Sequence, residues 1–65
     1  MNKVQGRMGV YRDRAVEAIR KFKSSGYPAT LSEAVHFYAV YRELGLSFQL
    51  GYVEWETLWR ETISA

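Results

Sequence analysis

Sixty-five residues with no cysteine and a single histidine allow one small domain and exclude a disulfide framework, a thiolate metal centre and a histidine-built zinc site. Two Trp, five Tyr and three Phe are more apolar surface than so short a chain hides by itself, which favours a homodimer. The net charge of +2 conceals an asymmetry: residues 1–26 carry seven Lys and Arg against two acids, whereas residues 27–65 carry two against five, a pattern that suits either a polyanion-facing end or a basic solvated helix face.

Residues 2–11, NKVQGRMGVY, alternate in character. Val4, Met8 and Val10 share one parity, and Lys3, Gln5, Arg7 and Tyr11 share the other. A period of two predicts a half-buried strand, weakened by Gly6 and Gly9. Its backbone groups need a partner, and no second strand follows. The segment is therefore expected to pair with its counterpart in another copy or to fray as a basic tail.

Asp13 is expected to cap a first helix running through Arg14–Ser24. Ala15, Ile19 and Phe22 form its apolar stripe, and Glu17 and Lys21 stand at a favourable i, i+4 spacing. The run Ser24-Ser25-Gly26-Tyr27-Pro28 breaks it, with Gly26 suited to the left-handed position after a helix end. Thr30-Leu31-Ser32-Glu33 matches a capping box and opens a second helix, which Gly45 should stop. Leu31, Ala34, Val35, Phe37, Tyr38, Val40, Tyr41 and Leu44 make that helix apolar nearly all round, which demands burial on several sides. His36 reads as a packed or half-exposed side chain, since nothing near it in sequence would tune or orient it.

Ser47 is expected to cap the last helix, whose stripe is Phe48, Tyr52, Trp55, Trp59 and Ile63. Such a stripe closes a core. If it stands in solvent, Tyr52, Trp55 and Trp59 become a protein-interaction face instead. Phosphate-binding glycine loops, HExxH and paired His or Cys are missing from the sequence, so no enzyme, cofactor or metal is expected. No apolar leader opens the chain and no window reaches the ~18 residues of a membrane span, so the expected location is cytoplasmic, without a membrane partner.

A basic alternating segment, an amphipathic helix, a glycine turn and a helix opening Ser32-Glu33-Ala34-Val35 together resemble the ribbon-helix-helix (Arc/MetJ-like) DNA-binding family over residues 3–45. The resemblance implies a mainly α fold with a short N-terminal β-strand pairing across a homodimer, two core helices and an extra C-terminal helix. Residues 1–65 would then be a single domain, with the core at 3–45 and an aromatic amphipathic helix at 46–65. It implies a small repressor, or a plasmid- or phage-type regulator, that binds double-stranded DNA. Lys3, Gln5 and Arg7 would read bases from a ribbon in the major groove. Thr30, Leu31 and Ser32 would anchor phosphate at the start of the second helix. The alternative is a three-helix protein-binding module, an inhibitor or adaptor, working through Tyr52, Trp55 and Trp59.

Overall fold

The computed structural model describes residues 3–65. They form α1 (Lys3–Ser25), α2 (Pro28–Ser47) and α3 (Trp55–Ser64), with no strand among the described residues. The expected intersubunit ribbon is therefore corrected to the first turns of a 23-residue helix. Of the expected strand, Asn2 lies outside the described residues.

The side chains show why the helix wins. A strand would put Met8 and Val10 on the same face, whereas a helix separates them by about 200°. Met8 is 8% exposed and Val10 is 49% exposed. The apolar set also continues at helical spacing through Val4, Met8, Tyr11, Ala15, Ile19 and Phe22, so one unbroken stripe serves the whole of α1. Asp13 caps nothing; it sits mid-helix, exposed, 3.9 Å from Arg12. The expected Glu17–Lys21 pair is present, also exposed, at 4.0 Å.

α1 ends as its sequence suggests. Gly26 takes φ +72° and its N–H donates to the Phe22 carbonyl at 2.7 Å. Only Gly26 and Tyr27 separate α1 from α2, which makes a tight helical hairpin. α2 starts two residues before the expected cap. Tyr27 is its extended N-cap residue and Pro28 its first residue, a position where the missing N–H is harmless and the fixed φ helps. The capping box does not form: the Thr30 hydroxyl donates back to the Tyr27 carbonyl at 2.7 Å.

Gly45 does not stop α2, which continues to Ser47. The helix closes with Gln49 N–H donating to the Leu46 carbonyl and Leu50 N–H donating to the Gly45 carbonyl, at 3.4 and 2.9 Å. With Gln49 at φ 54°, this is a Schellman end whose left-handed residue is a glutamine. The last helix starts at Trp55, after an irregular segment 48–54, and not at Ser47.

α1 and α2 pack along their lengths and α3 lies mainly on α1. The buried core is Met8, Ala15, Ala18, Ile19, Ala34, Tyr38, Tyr41 and Leu58. Three of these are alanines, so the helices approach closely but little apolar volume is enclosed. No helix among the described residues is long and apolar enough to cross a membrane.

Candidate functional site

The irregular segment 48–54 decides where α3 lies. Two tyrosines of α2 hold it by its backbone at one residue. The Tyr38 hydroxyl donates to the Val53 carbonyl at 2.8 Å, and the Val53 N–H donates to the Tyr41 hydroxyl at 2.7 Å. Both Val53 backbone groups are thereby satisfied without sheet or helix. Burial pushes the Tyr38 phenol above its ordinary range, with the nearby Glu54 carboxylate adding to the effect. Alongside, a carbonyl of this segment lies against Gly45, where only a glycine leaves room.

Fixed in this way, α3 presents its two tryptophans to the middle of α2 and the last turn of α1. The Trp55 ring meets Tyr38 edge-on at 5.2 Å between centroids. Trp59 lies 5.8 Å from Trp55 and 6.0 Å from Phe22. Such tilted and edge-on pairs suit the aromatic quadrupole and contribute beyond area burial alone. The Lys23 ammonium donates to the Ile63 carbonyl at 2.6 Å, so the last turn of α1 ties down the last turn of α3. That cation is engaged with a helix C-terminal carbonyl, as the dipole favours.

The tryptophans are half-buried, and an open apolar groove remains between them and the hairpin. Its volume is about 610 Å³, and its apolar walls are Phe22, Leu31, Trp55, Trp59 and Ile63. Glu56 and Arg60 stand on its rim. One wall comes from each of α1 and α2 and three from α3, so the groove exists only when all three helices are assembled.

The residues singled out in the sequence are redistributed. Lys3 and Arg7 lie within about 40° of each other around α1, and Gln5 points about 160° away from both. The three cannot form one base-reading edge. Arg14 and Lys21 continue the Lys3–Arg7 row along the helix. All four are exposed; Lys21 pairs with Glu17, and the Arg14 guanidinium lies 5.8 Å from the Phe37 ring centre. Thr30, Leu31 and Ser32 are inside α2 and do not act together. Thr30 is used by its bond to Tyr27, Ser32 is exposed, and Leu31 joins the apolar groove.

The aromatic triplet also divides. Trp55 and Trp59 share the groove, while Tyr52, in the preceding segment, lies beneath the Arg42 guanidinium at 5.5 Å. Ile63 is the expected stripe neighbour of the tryptophans, whereas Phe22 and Leu31 were not expected to belong with them. Phe22 and Ile63 were legible as the last apolar residues of their stripes, but their meeting depends on how the hairpin and α3 close. No family model, curated protein or solved structure matches this chain.

Proposed function

We propose that the chain is a small three-helix protein-binding module, acting by occupancy and not by chemistry. Its working surface is the groove of Phe22, Leu31, Trp55, Trp59 and Ile63, and the occupant is an apolar, helix-forming segment of a partner protein. The single observation that carries this reading is the pair of half-buried tryptophans lining an open groove of about 610 Å³. Tryptophan is enriched among residues that dominate binding energy, and concave apolar sites with a few polar groups at the edge are the usual ligand sites. Glu56 and Arg60 would orient the occupant by charge from the rim.

A displayed library of amphipathic helical peptides, selected on the immobilised protein, tests this. Selected peptides should share large apolar anchors at i, i+3 or i+4 and change the Trp emission. Leu31→Asn should weaken them at least tenfold while far-UV circular dichroism stays unchanged. An empty selection, or peptides indifferent to Leu31→Asn and Ile63→Asn, would refute the groove.

A second reading, binding to a nucleic-acid backbone, is favoured by the exposed row Lys3, Arg7, Arg14 and Lys21. It involves no ribbon and no base reading. Phosphate neutralisation by such a row gives affinity that falls steeply with salt and is indifferent to sequence. A mobility shift with random duplex at low salt, abolished by Arg7→Glu and Arg14→Glu together, is its expected result. No shift at 50 µM protein would remove it.

A further inference from the structure

The groove depends on how α3 sits, and α3 is held more lightly than the hairpin beneath it. Of the eight buried apolar core residues, seven belong to α1 and α2 and one, Leu58, to α3. The other buried residue of α3 is Thr62. Trp55, Trp59 and Ile63 are half-buried, because the groove opens beside them. No ion pair among the described residues joins α3 to the hairpin: Arg12–Asp13 and Glu17–Lys21 both lie within α1.

α3 also depends on docking for its shape. It has 10 residues, and its N-cap residue Glu54 makes no side-chain capping bond. Trp55, Thr57, Trp59, Thr62 and Ile63 are weak helix formers. An isolated helix shorter than about 12–15 residues is marginal in water. α3 is therefore helical because it is docked, and leaving the hairpin unwinds it.

The connection permits that departure. The end of α2 is fixed as far as Leu50, whose N–H donates to the Gly45 carbonyl. Gly51 follows in the left-handed region at φ +76°, where a Cβ would meet nothing within 4 Å. Beyond it, hydrogen bonds from the hairpin reach the chain at two places. Tyr38 and Tyr41 hold Val53, on the approach to α3, and Lys23 holds Ile63, in its last turn. The Lys23 bond is exposed, so water competes for both partners.

We propose that α3 opens from the hairpin as one unit, about Gly51, while α1 and α2 stay paired, and that this motion makes and unmakes the groove. Three of the five apolar walls travel with α3. An occupant bound across them and Phe22 or Leu31 therefore holds the docked form alone. Its apparent affinity is scaled by the docked fraction, so whatever stabilises docking strengthens binding. That consequence rests on the groove being the working surface; the opening does not.

Native-state hydrogen exchange on the free, full chain tests the opening without a partner. A peptide selection that finds nothing would remove the groove as a binding surface and leave the opening standing. The Leu58–Ile63 amides should be at least about tenfold less protected than those of Ala15–Ile19 and Ala34–Tyr41. Ala18→Gly separates the two modes of opening. Ala18 is buried in a recess lined by α1 and α2 residues and by none of α3. Glycine there weakens the hairpin equally in the docked and open forms. Hairpin protection should fall about fivefold, and α3 protection should not change. In a bundle that opens all at once, the two fall together. Leu58→Asp displays the open form directly. Trp emission should shift to the red and the 10 residues of α3 unwind, while the 23 of α1 and the 20 of α2 stay helical by far-UV circular dichroism. Equal protection of all three helices, a common fall on Ala18→Gly, or complete unfolding of Leu58→Asp overturns the proposal.

Discussion

Gly45→Ala and Gly6→Ala change the same atoms in the same kind of helix, yet should have opposite effects. At Gly45 a Cβ would lie 2.6 Å from the Gly51 carbonyl oxygen and 3.1 Å from the Met8 Cε. The Met8 methyl can turn away, but the carbonyl is backbone. It is held from one side by the Leu50–Gly45 hydrogen bond and from the other by the two tyrosine bonds to Val53. Relief requires the 48–54 segment to move, and α3 with it. Overpacking against such an obstacle costs about 2–3 kcal/mol. Alanine returns about 1 kcal/mol through helix propensity. The net loss is about 1–2 kcal/mol, or a Tm lower by about 4–15 °C in a domain of this size.

At Gly6 and Gly9 a Cβ meets nothing within 4 Å. Only the propensity gain remains, about 1 kcal/mol for each alanine. Thermal unfolding at one fixed protein concentration, followed by circular dichroism at 222 nm and by Trp emission, measures all three. The order Gly6→Ala and Gly9→Ala above wild type, and Gly45→Ala below it, is expected. A Gly45→Ala protein as stable as wild type would show that the loop does not bear on α2. Loss of stability on Gly6→Ala would show that the N-terminal segment is not helical.

Three further outcomes follow from the same geometry. Tyr38→Phe removes the bond to the Val53 carbonyl and should cost about 1 kcal/mol by urea unfolding at neutral pH. The raised Tyr38 pKa favours the folded state below the ordinary tyrosine value, and that contribution is lost as pH rises through the folded value. Wild type and Tyr38→Phe should therefore converge above about pH 10, and a gap that stays constant to pH 11.5 would refute the assignment. Gln49→Gly relieves a left-handed residue at φ 54° and should stabilise by about 0.5–1 kcal/mol, with chemical denaturation as the check. Trp59→Ala should cost about 3 kcal/mol or more if the ring packs on Phe22 as observed, and should leave the remaining Trp emission red-shifted.

Much of the helical content was legible because apolar spacing and breakers act locally. The stripe Ala15, Ile19 and Phe22, the break at Gly26 and the apolar character of α2 all follow from residues within a few turns of one another. The N-terminal segment was misread because Val4 and Met8 fit periods of both two and four. Val10 was the residue that distinguished them, and its exposure becomes visible only when Met8 is seen against α2. The candidate site was legible in part. Trp55 and Trp59 stood out, but Tyr52 was grouped with them by a helical spacing that the segment 48–54 does not obey.

The sequence by itself settled what short-range forces control: a chain without disulfides, a glycine break after α1, and a strongly apolar central helix. Tertiary structure alone decided the remainder. Whether Gly45 ends a helix or admits a neighbouring carbonyl depends on Gly51, six residues on and around a turn. Whether Leu31 anchors a phosphate or walls a groove depends on Phe22 and Trp59, which approach it only in the closed bundle. Spacing reports which side chains share a face; it does not report which face meets which, since that is set by the joint packing of all three helices.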